Sequence, residues 1–238
     1  MTYKAISDIG CVRKNNEDMA YVNGRFIRDG QIKGIANFSK EVIAFAIADG
    51  MGGYEGGEVA SEIVCRSFHA FIDELKTTDA PQLLAELKQW AIDTNRLVNE
   101  SAALRPELSE MGTTFVALLF ARKKMWLINI GDSRCYRMRG GILKQLSTDH
   151  SEINRTGNPD TPSNLIYNYM GNRPEDFFSD VTEYIPLAGD TYLLCSDGLS
   201  DMMPDEEIEK NANAVEQLVN LAKEAGGNDN ISIISIES

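Results

Sequence analysis

The sequence predicts an α+β protein in which helices pack on antiparallel β-sheet. Short apolar runs rich in Val, Ile, Phe and Leu are typical of strands and occur at residues 42–48, 113–120, 125–130, 135–138, 191–195 and 231–236. Three other segments carry apolar residues at helical spacing. The order along the chain is a strand, two adjacent helices, a group of strands, a helix and a last strand. This grouping favours antiparallel sheet over alternating βα units.

The three helical segments are predicted from apolar residues that recur every three or four positions. The recurring residues are Val64, Phe68, Phe71, Ile72 and Leu75 in the first segment, Leu83, Leu87, Trp90, Thr94, Leu97 and Val98 in the second, and Val215, Leu218, Val219 and Ala222 in the third. The third segment stops at Gly226-Gly227, which is typical of a helix C-terminus.

Length and composition are those of an ordinary globular domain. With 238 residues, of which 43% are hydrophobic and 25% charged, residues 1–238 are predicted to form a single domain. The apolar runs are too short to span a bilayer, and the N-terminal residues have no signal-peptide pattern. The four cysteines are scattered without a Cys-x-x-Cys pair, which indicates reduced thiols and a cytoplasmic location.

The net charge indicates which partners to exclude. The 36 acidic residues outnumber the 23 basic ones, and the formal net charge is −13. Nucleic acids and anionic membranes are bound by basic surfaces, so neither is expected as a partner.

Four aspartates lie at the ends of predicted strands. Asp49, Asp132 and Asp197 each follow an apolar run, and Asp229 stands just before the last one. One Asp-Gly after a strand is most often a turn, but an aspartate beside a buried strand must be solvated, paired or bound to metal. If these strands share a sheet edge, the four carboxylates converge on one cleft.

Clustered carboxylates need a cation between them because they repel one another. The chain has only two histidines, His69 and His150, and neither has the spacing of a zinc ligand. An oxygen-only ligand set favours Mg²⁺ or Mn²⁺. Two such ions about 3.5–4 Å apart can generate a hydroxide and neutralise a phosphoryl group during in-line attack.

A series of short motifs runs along the chain. They occupy residues 12–18 (Val-Arg-Lys-Asn-Asn-Glu-Asp), 48–53 (Ala-Asp-Gly-Met-Gly-Gly), 57–61, 111–114, 131–134, 148–151, 195–199 and 229–232. In sequence and in order they resemble the motifs of the PP2C (PPM) family of protein phosphatases in its bacterial form. The resemblance runs from about residue 7 to residue 236. It implies a four-layer α-β-β-α sandwich of two stacked antiparallel sheets flanked by helices, with metals in a cleft at one end.

The resemblance also implies a set of metal ligands. Asp49 would bridge two ions, with Glu17 and the Gly50 carbonyl completing the shell of the second. Asp197 and Asp229 would hold the first ion. The implied cofactor is Mn²⁺ or Mg²⁺, as two ions or three.

Three further positions carry roles implied by the resemblance. Asp132, together with Asp197, matches the ligands of a third, looser ion. Asp18 would orient metal-bound water, and Arg13 would bind the phosphate through its forked guanidinium. Met51 stands where some relatives have a general-acid histidine, so leaving-group protonation would fall to water.

The implied function is hydrolysis of phosphoserine and phosphothreonine in proteins, by a monomer that opposes a bacterial-type serine/threonine kinase. Two alternatives stay open, a catalytically silent module that binds phosphoproteins and an enzyme for small phosphoesters. Residues 151–180, rich in Asn, Pro, Asp and Gly, form either a solvated loop or a flap that faces the substrate.

Overall fold

The structure is a computed structural model that describes residues 1–38, 42–52, 56–75, 80–121, 123–158, 160–162 and 164–238, without the side chains of Ala80 and Pro81. Gly53 of the second motif, and Pro159 and Ser163 of the predicted flap, lie outside the described residues.

The strands of the described residues are β1 Thr2–Asp8, β2 Met19–Val22, β3 Arg25–Ile27, β4 Gly30–Ile35, β5 Ile43–Ala48, β6 Gly50–Met51, β7 Gly112–Thr113, β8 Phe115–Ala121, β9 Lys124–Ile130, β10 Arg134–Arg139, β11 Ile142–Gln145, β12 Asp180–Tyr184, β13 Thr191–Cys195 and β14 Ile231–Glu237. The helices are α1 Gly56–Glu74, α2 Ala80–Ala103, α3 Glu152–Thr156, α4 Asp197–Ser200, α5 Asp205–Asn211 and α6 Val215–Glu224, with a 3₁₀ turn at Pro106–Leu108. No helix in these ranges combines the length and the apolar character needed to cross a membrane.

Two six-stranded sheets carry the fold. Sheet I has the strand order β11-β10-β13-β14-β1-β4, and sheet II has the order β12-β9-β8-β5-β2-β3. Neighbouring strands pair antiparallel throughout both sheets. The last strand, β14, lies between β13 and β1 in sheet I, so the C-terminal segment joins the centre of the fold.

Three buried clusters define four layers. One cluster joins residues of both sheets, including Tyr192 and Ile234 from sheet I and Phe45 and Leu118 from sheet II, so the sheets stack face to face. A second packs the outer face of sheet II against α1 and α2, and a third packs the outer face of sheet I against α4, α5 and α6. The predicted α-β-β-α sandwich is therefore confirmed.

Strand β5 shows how the sequence encodes this layering. Its side chains alternate between Ile or Phe and Ala, and all six residues are buried. The large side chains, Ile43, Phe45 and Ile47, enter the core between the sheets, whereas the alanines lie in the cluster under α1 and α2. Alternate residues of a strand point to opposite faces, so this pattern fills the wide inter-sheet space and lets the helices approach closely.

Each of the six predicted strand segments contains a strand, with one interruption. The 113–120 run is divided because the Thr114 N–H donates to the carbonyl of Asp49 at 2.9 Å instead of continuing a sheet. Strands β1 to β4, β6, β11 and β12 were not predicted. Strand β1 buries only alternate residues and β4 none, so polar side chains dilute the apolar signal that identifies a strand.

A buried carboxylate joins β10 to the segment before β13. Asp190 is 1% exposed and accepts two hydrogen bonds from Arg139, at 2.6 and 2.7 Å, and one from the Tyr192 hydroxyl at 2.8 Å. The Leu187 N–H donates to it at 2.9 Å. Burial opposes the charge, but these donors outweigh it and lower the pKa of Asp190 to about 2. Asp190 therefore stabilises the fold as a carboxylate.

We expect Asp190→Ala to lower the free energy of unfolding by roughly 1–3 kcal/mol at pH 7, because it leaves the buried Tyr192 hydroxyl without its acceptor. Urea unfolding followed by circular dichroism measures the difference. Asp93→Ala on the exposed face of α2 is the control. A depressed pKa contributes stability that is lost as pH falls through the folded value, so the difference between Asp190→Ala and the control should narrow between pH 4 and 2. Equal midpoints at pH 7 would contradict the assigned role.

Candidate active site

Most of the predicted site residues line one cavity of 240 Å³. Seven of the eight predicted positions line it, namely Arg13, Glu17, Asp49, Gly50, Asp132, Asp197 and Asp229. The eighth, Asp18, is outside the lining and fully buried. A larger groove of 590 Å³ lies between α1 and α2, over Phe71, Trp90 and Leu97. Only the smaller cavity brings the predicted carboxylates together, so the chemistry is assigned there.

The carboxylates reach the cavity from both sheets. Asp49 and Asp132 follow β5 and β9 of sheet II, whereas Asp197 follows β13 and Asp229 precedes β14 in sheet I. Since β5 and β9 both pair antiparallel with β8, they end on the same side of sheet II. The end of β13 likewise meets the start of β14. The carboxylates therefore converge across the two sheets, not along one shared sheet edge.

The backbone of Asp49 is held by a pair of threonines. Thr113 Oγ1 donates to the Asp49 carbonyl at 2.7 Å, and the Asp49 N–H donates to Thr114 Oγ1 at 3.1 Å. Thr114 Oγ1 also shares a hydrogen bond with Ser133 Oγ at 2.7 Å. These residues belong to the motifs at 111–114 and 131–134, so the motifs link the loops that carry Asp49 and Asp132.

Two glycines let three backbone segments meet beside Glu17. A Cβ on Gly50 would lie 2.2 Å from the Gly57 carbonyl oxygen and 2.6 Å from that of Glu17. A Cβ on Gly57 would lie 2.8 Å from the Glu17 carboxylate. No side chain fits at either position, so the glycines at 50 and 57 are required by close approach. They bring the Glu17 carboxylate against the start of α1.

Burial and mutual repulsion disfavour the charged forms of the cavity carboxylates. Burial is the first cause in each case, and it raises the pKa of Asp132 to about 7 and that of Asp197 to about 6. The pKa of Asp49 is raised well above its usual value by burial and by repulsion from Asp18 and Asp197. Such a cluster favours binding of a cation, which removes both penalties.

Asp18 lies behind this cluster as a buried carboxyl. Ser196 Oγ donates to its Oδ2 at 2.8 Å, whereas its Oδ1 is buried without a hydrogen-bond partner. Burial raises the pKa of Asp18 to about 7, although hydrogen bonds from Ser232 and Ser196 act in the opposite direction. An unpartnered buried oxygen beside Asp197 and Asp229 is suited to a donor such as an ion-bound water.

The donor set fits hydrated Mg²⁺ or Mn²⁺. All the acidic lining residues supply oxygen, which hard divalent ions prefer. Within the described ranges, no group of three or more His, Cys, Asp and Glu side chains forms a ready-made ion cage.

Arg13 supplies the positive charge at the cavity rim. Its Nη2 lies 2.6 Å from Asp229 Oδ2, and its side chain is 51% exposed. The hydrogen bond to Asp229 is the main cause that raises the pKa of Arg13. A half-exposed guanidinium on the edge of an acidic cavity can meet an incoming anion without first leaving the protein interior.

The segment 151–180 contributes Asn164 and Ile166 to the cavity wall. It contains α3 and is tied to the core by an isolated bridge between Met170 and Thr113, whereas a second bridge, between Ser151 and Ile166, lies within the segment itself. The segment is thus not wholly a solvated loop, because part of it faces the site. His150, which is 1% exposed and directly precedes the segment, contacts the last residue of the segment, with its Nε2 3.1 Å from Asp180 Oδ2.

A family model described as protein phosphatase 2C matches residues 21–233 of the chain. The chain belongs to the protein phosphatase 2C family. The resemblance seen in the sequence is therefore confirmed.

Several members of the protein phosphatase 2C family are similar over nearly the whole chain. The serine/threonine protein phosphatase PstP of Mycobacterium tuberculosis is 34% identical over 98% of this chain and 44% of its own length. The chain thus spans less than half the length of that relative. The serine/threonine phosphatase stp of Listeria innocua is 33% identical over 97% of this chain and 93% of its own length. A solved structure of the PstP catalytic domain in complex with two manganese ions has a TM-score of 0.79 and 33% identity, covering 99% of this chain and 98% of that one.

Some residues at this phosphatase 2C site were not anticipated from the sequence. Asn230 accepts the Glu17 N–H at 2.8 Å and donates to the carbonyls of Ile9 and Asn15 at 3.0 Å each. Asn164 and Ile166 line the cavity as well. Asn230 follows Asp229 directly within a motif, and that position was the available signal. Nothing local distinguishes Asn164 or Ile166 from the rest of the irregular segment.

Proposed function

We propose that this phosphatase 2C-family chain is a metal-dependent protein serine/threonine phosphatase. The observation that carries the proposal is the convergence of Glu17, Asp49, Asp132, Asp197 and Asp229 with Arg13 on one cavity. Carboxylates alone would repel the phosphate of a substrate, so cations are needed between the two. Two divalent ions would supply an activated water at neutral pH and neutralise the phosphoryl charge.

The proposed ligands divide as the motifs imply. Asp49 and Asp197 lie at the centre of the mutual repulsion, and Asp49 would be a ligand shared by two ions. Glu17 and the Gly50 carbonyl would complete one ion shell and Asp229 the other. Asp132, which follows β9, would join Asp197 in holding a third ion, and buried Asp18 would orient ion-bound water by accepting a hydrogen bond from it.

Arg13 would bind the phosphate of the substrate. A guanidinium can donate two parallel hydrogen bonds to a phosphate, and Arg13 stands at the rim where a phosphoamino acid would enter. Asn164 and Ile166 would contact the residues around the phosphoamino acid, which gives segment 151–180 the role of a substrate-facing flap.

Phosphate release from phosphopeptides tests the proposal. The purified chain with Mn²⁺ should hydrolyse phosphoserine and phosphothreonine peptides, and EDTA should abolish this. Absence of metal-dependent release from every substrate would leave the alternative of a silent phosphoprotein-binding module. Release from small phosphoesters alone would favour the other alternative, an enzyme for small molecules.

Arg13→Ala should lower kcat/KM for a phosphothreonine peptide about 10- to 100-fold, because a charged hydrogen bond to phosphate contributes roughly 1.5–3 kcal/mol. Steady-state kinetics at saturating Mn²⁺ measure the change. Lys14→Ala is the matched control, since Lys14 is the adjacent exposed cation and is not in the cavity lining. Equal losses in both variants would indicate general electrostatic attraction instead of a phosphate contact.

The wider setting is part of the same proposal. We propose that residues 1–238 fold as a single monomeric domain in the cytoplasm and act on phosphoproteins made by a serine/threonine kinase. All four cysteines are free, and three of them are buried, which is compatible with a reducing compartment. Size-exclusion chromatography with light scattering tests the monomer.

A further inference from the structure

A mostly buried arginine, Arg28, lies behind Glu17, outside the cavity lining. Arg28 follows β3, and its side chain is 17% exposed. It donates to the carbonyl of Asn16 at 2.8 Å, to the carbonyl of Glu58 at 2.9 Å and to Ser61 Oγ at 3.1 Å. The Glu58 carboxylate lies 3.3 Å from its Nη1. One guanidinium therefore joins the segment that carries Glu17 to the first two turns of α1.

The segment around Glu17 depends on side chains for its hydrogen bonds. Residues 13–18 form neither helix nor strand, so their peptide groups need partners from elsewhere. The Glu17 N–H donates to Asn230 Oδ1 at 2.8 Å, and the Glu17 carbonyl accepts from Ser61 Oγ at 2.6 Å. Arg28 binds the preceding carbonyl, that of Asn16. Three side chains thus set the position from which the Glu17 carboxylate enters the cavity.

Arg28 also directs the hydroxyl proton of Ser61. Ser61 Oγ lies 2.6 Å from the Glu17 carbonyl and 3.2 Å from the Glu58 carbonyl, and its single proton can serve only one of them. Arg28 already donates to the Glu58 carbonyl and to Ser61 Oγ itself. The hydroxyl proton is therefore left for Glu17. Arg28 supports Glu17 by two routes, through Asn16 and through Ser61.

We propose that Arg28 is a positioning residue for Glu17 in the metal site, and this rests on the proposed function, in which Glu17 is a metal ligand. Arg28 is not in the cavity lining, so it would act through Glu17 and not by direct contact with the substrate or the ions. Its planar fork spans two carbonyl oxygens and a hydroxyl at once, which the single ammonium of a lysine does not reproduce. Removing a group that orients a ligand typically weakens metal affinity about 10- to 100-fold.

Calorimetric titration of the metal-free chain with Mn²⁺ tests this directly. Arg28→Met and the milder Arg28→Lys should weaken binding of the ion that Glu17 holds by about 10- to 100-fold. Raising Mn²⁺ should restore phosphopeptide hydrolysis in both, with KM for the peptide unchanged. Arg25→Met on the same hairpin is the matched control, because Arg25 is exposed and contacts Tyr3 at 3.3 Å instead of the Glu17 segment.

A double-mutant cycle with Glu17→Gln separates positioning from a general structural effect. If Arg28 acts through Glu17, Arg28→Lys should change Mn²⁺ affinity little in the Glu17→Gln background. The proposal would be overturned if folded Arg28→Lys bound Mn²⁺ as tightly as the parent. It would also be overturned if Arg28→Lys weakened Mn²⁺ binding equally in the parent and in the Glu17→Gln background. Failure of the proposed function looks different, since the parent chain would then bind no Mn²⁺ or Glu17→Gln would bind it as tightly as the parent.

Discussion

Asp49→Asn is expected to lower kcat/KM for a phosphothreonine peptide by about 10³-fold or more at saturating Mn²⁺. As the proposed bridge, Asp49 holds both ions, and losing the charge stabilisation they supply costs several kcal/mol in the transition state. Its backbone is already fixed by Thr113 and Thr114, and the asparagine keeps the same shape, so the substitution changes charge with little change in packing. Phosphate release under steady-state conditions measures the loss.

The same substitution should stabilise the metal-free protein. Asp49 is a carboxylate whose charged form is disfavoured by burial and by Asp18, Asp197 and Asp132, so the neutral amide removes a penalty. We expect a gain of roughly 1–2 kcal/mol in the free energy of unfolding in EDTA at pH 8. If Asp49 serves function and not folding, Asp49→Asn should lose activity and gain stability. Loss of both would indicate a structural role instead.

Asp93→Asn is the matched control for both measurements. Asp93 lies on the surface of α2, half exposed and outside the 240 Å³ cavity. It should retain the activity and stability of the parent. Activity of Asp49→Asn within tenfold of the parent would show that the ions are placed wrongly.

The metal-free protein should become less stable as pH rises from about 5 to 8. Asp18 and Asp132 have a pKa raised to about 7 and Asp197 one raised to about 6, so the folded state holds protons there that the unfolded state has released. Stability therefore falls with rising pH across this window, opposite to the effect of Asp190.

Urea unfolding in EDTA at pH 5, 6, 7 and 8 measures this dependence. Asp18→Asn should flatten the slope, because it removes both the titration of Asp18 and the repulsion of Asp49 by Asp18. Added Mn²⁺ should restore more stability at pH 8 than at pH 5, because protons must leave before the ion binds. A flat or rising profile in the metal-free parent would contradict the raised pKa values.

Local patterns were sufficient for the central strands and the long helices. Thr191–Cys195 is buried along its whole length, so its apolar run identifies it without reference to neighbours. Strand β4 has no fully buried residue, and its existence depends on pairing with β1. A strand at the edge of a sheet is defined by its neighbour, and the sequence of the strand alone does not indicate that neighbour.

The sequence predicted the residues of the site but not their arrangement. The motifs indicated which carboxylates matter, and oxygen chemistry indicated the class of ion. They did not show that the carboxylates arrive from two different sheets, or that Asp18 is fully buried behind the cavity.

The sequence by itself determined the family, the layering of the central strands and the acidic donor set, because each depends on a pattern of residues that are close together in the chain. What only the tertiary structure decided is the set of partners that hold those donors. Asn230 reaches Glu17 across 213 positions of the chain, and Arg28 meets Ser61 across 33. A hydrogen bond forms between atoms about 3 Å apart whatever their separation in sequence, so such partners exist only after the sheets and helices have packed.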